Sequence, residues 1–205
     1  MSKKTLCLYG GNFWPPGMHH YVIADHLVRA FDDLIIIPCG TRRDKASLQV
    51  DAVHKKKLVE LNFAYIFFDP GFDFSDLETN SFTPTFYLQE QYQLVFPDSE
   101  IWHAIGPDLI QGGSRGESQI QKTWVRGLEV WHNLLFAVVV PEGMIIPTED
   151  LPPNSQCIFL PAIEGRSTLI RKLLAEGNPE VESLLVPEVY EYILEHGLFG
   201  TATTL

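Results

Sequence analysis

The sequence predicts an α/β protein built on a doubly wound parallel sheet. Strand-like and helix-like segments alternate along the chain, which is the pattern of a parallel sheet with helices on both faces. The strand-like segments are continuous apolar runs, as expected of strands that are covered on both sides. The chain has 205 residues, 45% of them apolar, and this suits one such domain. We therefore expect a single domain over 1–205, with a C-terminal helical part, about 166–205, packed on it.

Each element follows from a local pattern. Short apolar runs bounded by turn residues predict the strands. These runs are 5–9, 34–38, 65–68, 101–105, 134–140 and 157–160. Apolar residues repeating every three or four positions predict the helices. These segments are 19–31, 52–63, 85–96, 121–133, 168–176 and 187–196. Together they predict a Rossmann-like fold of about five to six strands. Lys55, Lys56 and Lys57 are expected to form one solvated helix face.

Composition narrows the classes of partner. The formal net charge of −11 argues against nucleic acid as the main partner, because binding a phosphate backbone requires a basic surface. A small anionic ligand is not excluded, since it responds to the local field of its pocket. No apolar run approaches the roughly 20 residues that span a bilayer. Without a signal-peptide pattern at the start, a cytoplasmic protein is expected, with Cys7, Cys39 and Cys157 as reduced thiols in or near the core.

The chemically rich segments follow the predicted strands. Ligands of doubly wound sheets bind beyond the carboxyl ends of the strands. The first strand ends in Gly10, Gly11 and Phe13, where two glycines allow the backbone to approach a ligand closely. Gly106 and Asp108 follow the strand at 101–105. These positions are candidate nucleotide contacts.

Two predicted helix starts carry the residues of a phosphate site. Ser167 is placed to cap the helix that follows, and Arg171 lies four residues later on the same face. A helix N-terminus with a cation beside it favours a bound phosphate. His19 and His20 occupy the first turn of the first helix, where an imidazole can donate to a phosphate oxygen. The alternatives are an ordinary capped helix with a solvated arginine, and a surface pair of histidines.

The motifs carry a family resemblance. Residues 10–20, Gly-Gly-Asn-Phe-Trp-Pro-Pro-Gly-Met-His-His, resemble the glycine-rich, two-histidine signature of nucleotidyltransferases that adenylylate small phosphates. Residues 166–171, Arg-Ser-Thr-Leu-Ile-Arg, are similar to the C-terminal Ser-Ser-Thr-x-Ile-Arg motif of that superfamily. Among its members the likeness is to nicotinate or nicotinamide mononucleotide adenylyltransferases, and it covers nearly the whole chain. One departure concerns the first motif histidine, which falls on Gly17, while His19 stands where the family has glycine.

The resemblance implies the reaction and the roles of the residues. The phosphate of a pyridine mononucleotide would attack the α-phosphorus of ATP, and pyrophosphate would leave. His20, with His19 as a helper, would stabilise the α-phosphate, while Ser167, Thr168 and Arg171 would hold the β- and γ-phosphates with bridging Mg²⁺. The remaining assignments are Gly106 and Asp108 at the adenosine ribose, Lys45 at the mononucleotide phosphate, and Trp124 and Thr85 at the pyridine ring. No metal-ligand cluster of the protein is expected.

Other functions remain open at this point. A nucleotide-binding relative that lost catalysis with the motif histidine would keep the same helix starts. A sister transferase acting on another small phosphate, such as phosphopantetheine, would also share them. Under each of these hypotheses the partners are small molecules, such as ATP and a pyridine mononucleotide, and neither nucleic acid nor a membrane is expected. The hypotheses also leave open that the protein forms a homo-oligomer. The choice between the acid and the amide mononucleotide is left open.

Overall fold

A computed structural model describes residues 3–40, 51–66, 70–162 and 165–202. The chain divides into two compact units, and neither is continuous in sequence. The first unit holds 1–10, 26–37 and 83–162, and the second holds 11–25, 38–82 and 163–205. The division falls within three elements, which are the strands β1 (Lys4–Gly11) and β2 (Asp33–Pro38) and the helix α1 (Met18–Ala30). The two units are described in turn.

The first unit contains most of a parallel sheet. Its further strands are β4 (Ser99–Ile105), β5 (Leu135–Pro141) and β6 (Ser155–Leu160). The order across the sheet is β2-β1-β4-β5-β6, with β1, β4, β5 and β6 running parallel. The register pairs Leu8 with His103 and Ile105 with Val138. The chain winds to opposite sides of β1 to form β2 and β4, so a topological switch point lies between β1 and β4. The predicted Rossmann-like α/β fold is confirmed.

Three helices accompany these strands. They are α4 (Thr85–Val95), α5 (Gln119–Thr123) and α6 (Gly127–Asn133). One apolar cluster gathers Phe86, Ile120, Trp131 and the inward residues of β5, and a second gathers Leu6, Leu8 and Tyr92. Burial of these continuous apolar runs is the main favourable term for the unit.

The helix predicted at 121–133 is wrong as a single element. Trp124 is extended, with φ −79° and ψ 150°, and Arg126 has a left-handed backbone with φ 54°. This break ends α5 and starts α6. It is held by the Arg126 guanidinium, which lies 4.2 Å from the centre of the Phe86 ring and forms an ion pair with Glu129. Contacts between distant segments therefore interrupt a pattern that reads as one helix.

The second unit is mainly helical in its described part. It contains the first half of α1, the helices α2 (Ala52–Phe63), α3 (Ser75–Glu78), α7 (Ser167–Ala175) and α8 (Pro187–Glu195), and the short strand β3 (Gly71–Phe72). Its core joins Trp14, Leu58, Ile170, Leu174 and Val189. The strand expected at 65–68 is not formed at Tyr65, which lies in a turn, and 67–69 are outside the described residues.

The solvated lysine face is a wrong prediction at one position. Lys55 is fully buried, whereas Lys57 on the same helix is exposed. Lys55 occupies the first position of the buried stripe of α2, which continues with Leu58, Val59, Asn62 and Phe63. The i, i+3, i+4, i+7 spacing of these residues in the sequence is typical of a buried helix face. A lysine is almost never fully buried without a partner, so its charge indicates an exposed position and conflicts with that spacing.

Two further expectations concern cysteines and membranes. The three cysteines are free thiols, with Cys7 and Cys39 buried and Cys157 half-buried, so they lie in or near the core as expected. Among the described residues, no helix combines the length and apolar character needed to cross a bilayer.

Acid is expected to destabilise the first unit through His103. Burial lowers the pKa of this imidazole to about 4, and its Nε2 lies 2.8 Å from Oε1 of Gln89. In the unfolded chain the His103 imidazole binds a proton as the pH falls through about 6.5, whereas in the folded chain it stays neutral until about pH 4. Stability is therefore lost as the pH falls below about 6.5. Between pH 7 and pH 5 this group should cost about 2 kcal/mol.

Denaturant titrations at pH 7 and pH 5 measure the effect. His103→Gln should lose less stability on acidification than the wild type. The matched control is His132→Gln, since His132 is exposed and should leave the pH dependence unchanged. An equal loss in wild type and His103→Gln would contradict the prediction.

Candidate nucleotide site

The start of α1 fixes the orientation of His20. Gly17 is the N-cap of α1, and its carbonyl accepts from the backbone N–H of His20 at 2.9 Å. In return, the backbone N–H of Gly17 donates to Nδ1 of His20 at 3.1 Å. This reciprocal arrangement resembles a capping box, with an imidazole in place of the usual glutamate. Because Nδ1 is the acceptor, the proton of the neutral ring lies on Nε2, where it is a hydrogen-bond donor.

Both histidines are neutral at physiological pH. Burial lowers the pKa of His19 to about 4. The pKa of His20 lies well below its usual value because of burial and because of the neighbouring His19. The ring centres are 3.8 Å apart. Nδ1 of His19 is buried and finds no hydrogen-bond partner among the described residues. The pair therefore presents neutral donors, one of them with an unsatisfied ring nitrogen.

Phe13 holds the other side of His20. Its ring meets the His20 ring edge-on at 5.0 Å and the Phe63 ring at 5.6 Å. The backbone of Phe13 is left-handed, with φ 40°, a conformation that costs about 1–3 kcal/mol for a residue with a side chain. A Cβ at Gly11 would lie 2.7 Å from this ring. A glycine at position 11 therefore allows the Phe13 ring to pack against the backbone at the end of β1.

The start of α7 is bonded to the loop that precedes α1. The Ser167 hydroxyl donates to the carbonyl of Pro15 at 2.9 Å, and Nη1 of Arg171 donates to the carbonyl of Trp14 at 2.6 Å. Nη2 of Arg171 also reaches Oγ1 of Thr168 at 3.3 Å. The second unit therefore brings together the two helix starts that were predicted to form a phosphate site.

The predicted cap at Ser167 is wrong. Ser167 is the first residue of α7, the N-cap is Arg166, and no side-chain bond from Arg166 caps the helix. The hydroxyl of Ser167 is instead used to hold the neighbouring loop. The first backbone N–H groups of a helix have no intrahelical acceptor, so a helix start without a side-chain cap suits an anion.

Relative to the nucleotidyltransferase motif, glycine and histidine are exchanged at positions 17 and 19, and the packing around Gly17 gives a steric reason for this exchange. A Cβ at Gly17 would lie 2.6 Å from Cδ1 of Ile170 and 2.9 Å from the carbonyl oxygen of Leu184. It would also lie 3.0 Å from Cε1 of His19. The chain thus has no room for a side chain at position 17, and the His19 ring occupies space directly beside it.

Even a methyl group at position 17 should be costly. Gly17→Ala is expected to lower the free energy of unfolding by about 2 kcal/mol, because overpacking against backbone cannot be relieved by a rotamer change. A matched control is Gly10→Ala, whose Cβ would meet nothing nearer than 4.0 Å. Denaturant titration of both variants measures the difference, and equal stabilities would contradict the packing described for Gly17.

The remaining assigned residues lie in the first unit. Gly10 lies at the carboxyl end of β1 and Gly106 follows β4, and these two strands flank the switch point. The Asp108 carboxylate folds back over Gly106, since a Cβ there would lie 2.6 Å from Oδ1 of Asp108. Asp108 sits inside a short 3₁₀ turn whose N-cap is Gly106.

The predicted pyridine residues also belong to this unit. Thr85 is the first residue of α4 and is half-buried. Trp124 lies in the break between α5 and α6, not on a helix as expected, and packs against the apolar cluster that includes Phe86. Lys45 lies outside the described residues. The sequence pattern gave no role to Asn12, although this residue stands between the motif residues Gly11 and Phe13.

The last feature of the site concerns side chains that could bind a metal ion. Across the described ranges, no group of three or more His, Cys, Asp or Glu side chains is arranged to hold a metal ion.

Comparison with known proteins agrees with this geometry. No protein-family model matches the chain. A protein named probable nicotinate-nucleotide adenylyltransferase from Oceanobacillus iheyensis is 25% identical over 96% of this chain and 97% of its own length. A protein of the same name from Bacillus pumilus is 28% identical over 96% and 98%. The Plasmodium falciparum nicotinic acid mononucleotide adenylyltransferase complexed with NaAD superposes with a TM-score of 0.78, at 20% identity, covering 98% of this chain and all of the other.

The curated relatives that match this chain over nearly their full length are nucleotidyltransferases by name, and the chain is assigned to that enzyme class. These relatives carry the name nicotinate-nucleotide adenylyltransferase, and the chain is 25% and 28% identical to the two described above.

Proposed function

We propose that this protein joins the AMP part of ATP to nicotinate or nicotinamide mononucleotide and releases pyrophosphate, a step of NAD biosynthesis. The observation that carries the proposal is the bonding of the α7 start to the loop before α1, through Ser167 and Arg171. This contact places an arginine and an uncapped helix start beside two neutral imidazoles. Relatives matched over their full length carry the name of this activity.

The chemistry requires little from a general base. A phosphate monoester has a second pKa of about 6 and is largely dianionic at neutral pH. An oxygen of the mononucleotide phosphate forms a bond to the α-phosphorus of ATP, while the bond from that phosphorus to the β-phosphate oxygen breaks. Pyrophosphate carries away the electron pair. Positioning and stabilisation of charge are then the main contributions of the protein.

The residues of the second unit supply that stabilisation. His20 donates from Nε2 to an α-phosphate oxygen, because its Nδ1 is already engaged by Gly17. His19 supplies the imidazole that the family motif has at position 17, from the neighbouring space that its ring fills. Ser167, Thr168 and Arg171 hold the β- and γ-phosphates at the uncapped start of α7. Mg²⁺, when bound together with the nucleotide, would supply positive charge that neutralises those phosphates.

The residues of the first unit are assigned to the organic parts of the substrates. Gly106 and Asp108 contact the adenosine ribose near the switch point, and Gly10 allows close approach of the backbone. Trp124 stacks on the pyridine ring and Thr85 lies near its carboxyl or amide group. Lys45 binds the mononucleotide phosphate. The reduced thiols fit action in the cytoplasm.

A substrate panel tests the proposal. The protein is incubated with ATP, Mg²⁺ and one of nicotinate mononucleotide, nicotinamide mononucleotide or phosphopantetheine, and products are read by mass. A dinucleotide from either pyridine substrate, with one pyrophosphate for each product, is the expected result. Product from phosphopantetheine alone would show a sister transferase. Tight ATP binding without any product would show a binding protein that lost catalysis.

A further inference from the structure

The fully buried lysine of the second unit has no role in the function proposed so far. The Lys55 side chain is completely inaccessible to solvent. Its ammonium donates to Oδ1 of Asn12 at 3.1 Å and to the carbonyl of Cys39 at 2.5 Å. Both acceptors are formally neutral, and among the described residues no carboxylate influences its charge. Burial lowers the pKa of Lys55 to about 8, which Cys39 partly offsets.

This arrangement is unfavourable for stability alone. Desolvating an ammonium costs several kcal/mol or more unless a counter-charge compensates for it. Lys55 is also near the start of α2, where the partial positive charge of the helix disfavours a cation. An apolar side chain of similar length would fill the same space at lower cost. The retention of a lysine here therefore calls for a function of the charge.

The contacts of Lys55 converge on the carboxyl ends of two strands. Asn12 follows β1 directly, and Cys39 follows β2. The Cys39 thiol points to the same atom, with Sγ lying 3.9 Å from Oδ1 of Asn12. The oxygen of the Asn12 amide is thus committed to these protein donors. The donor group of an amide lies opposite its oxygen, and within the described ranges Nδ2 of Asn12 has no acceptor, so both of its hydrogens can be donated to a ligand.

Asn12 also precedes the strained residue that packs against His20. The left-handed backbone of Phe13 persists only where neighbouring contacts fix it. Asn12 is pinned on one side of that residue by Lys55, and the Phe13 ring contacts His20 on the other. The Asn12 amide therefore lies one residue from a ring that packs against His20 at the candidate phosphate site.

We propose that Lys55 is a positioning residue of the phosphate site. Its ammonium binds Oδ1 of Asn12 and so presents the Nδ2 amide group as a donor to a phosphate oxygen of the nucleotide. The inference rests on the proposed function, because the anion is taken to be a phosphate of ATP. Lys55 does not touch the ligand and acts only through Asn12.

Binding of ATP, measured by titration calorimetry without the second substrate, tests this role apart from turnover. Lys55→Met should weaken ATP binding about tenfold, since it frees the Asn12 amide to rotate. Its melting temperature should be unchanged or higher, because an apolar side chain replaces a buried charge. The matched control is Lys57→Met, which removes the same charge from an exposed position of the same helix. This control should bind ATP like the wild type.

Two further variants separate positioning from structure. Asn12→Asp keeps acceptors for Lys55 but has no amide donor, so it should fold normally and still bind ATP at least about tenfold more weakly. In an Asn12→Ala background, Lys55→Met should cause no further weakening, because residues that act as one unit are not additive. Wild-type affinity in Asn12→Asp, or additive losses in the double variant, would overturn the proposal.

The outcome also separates this inference from the proposed function. A wild-type protein that binds ATP but forms no dinucleotide would refute the transferase activity, and the role of Lys55 would still be decided by the binding data. A wild-type protein that forms dinucleotide, with Lys55→Met matching its affinity and turnover, would refute only the role of Lys55. A wild-type protein without affinity for ATP would refute both.

Discussion

His20→Ala is expected to lower kcat about 100-fold, with little change in the KM for ATP. The variant removes a neutral donor that is aimed by Gly17 and held by Phe13. Removal of one preorganised donor to a charge that develops in the transition state typically costs about 10²–10³ in kcat. An interaction made mainly in the transition state affects kcat more than ground-state binding. Steady-state kinetics with the best substrate of the panel measures the effect.

The controls for this prediction lie on the same helix. His26→Ala removes an imidazole from α1 outside the candidate site and should keep wild-type turnover. His19→Ala should show a smaller loss than His20→Ala, because His19 is assigned as the helper. A decrease in kcat of less than about tenfold in a stable His20→Ala protein would refute the assigned role.

Arg171→Ala is expected to lower kcat/KM about 100-fold, mostly by raising the KM for ATP. The guanidinium has two tasks in the structure, since it donates to the carbonyl of Trp14 and lies beside Thr168. Hydrogen bonds to a charged group contribute about 1.5–3 kcal/mol, and the cation also faces the proposed β- and γ-phosphates. Losing both should loosen the loop before α1 and weaken triphosphate binding.

Lys172→Ala provides the comparison for Arg171. It removes a positive charge one residue further along α7, from a side chain that is 68% exposed. Surface ion pairs contribute little, so this variant should retain wild-type kinetics and stability. Arg171→Lys should recover only part of the activity, because an ammonium cannot reproduce the planar, two-pronged donor of a guanidinium. Equal kinetics for Arg171→Ala and Lys172→Ala would exclude triphosphate binding by Arg171.

Many of the elements could be predicted because their patterns are local. The helix α2 has the bounds expected from apolar spacing. The helices α4 and α8 end one residue early, and α1 and α7 are shifted by one residue at both ends. Strands β2, β4, β5 and β6 follow their apolar runs. The starts of α1 and α7 lie within one residue of their predicted positions, since glycines, prolines and polar residues mark them in the sequence.

The failures have one physical origin. The break at Trp124–Arg126, the donor role of Ser167 towards Pro15 and the burial of Lys55 each depend on a partner that is distant along the chain. Local spacing describes a helix by its own hydrogen bonds. It carries no information about a carbonyl or a ring that another segment brings within reach.

The amino-acid sequence by itself determined the α/β class, the order of the elements and the two motifs at the starts of α1 and α7, because periodicity and turn chemistry act over a few residues. The tertiary structure alone decided which atoms those motifs use. The packing around Gly17 leaves no room for a side chain at that position, and the packing of α2 buries Lys55 against Asn12. Excluded volume and desolvation act between segments far apart in the chain, so the folded arrangement is needed to evaluate them.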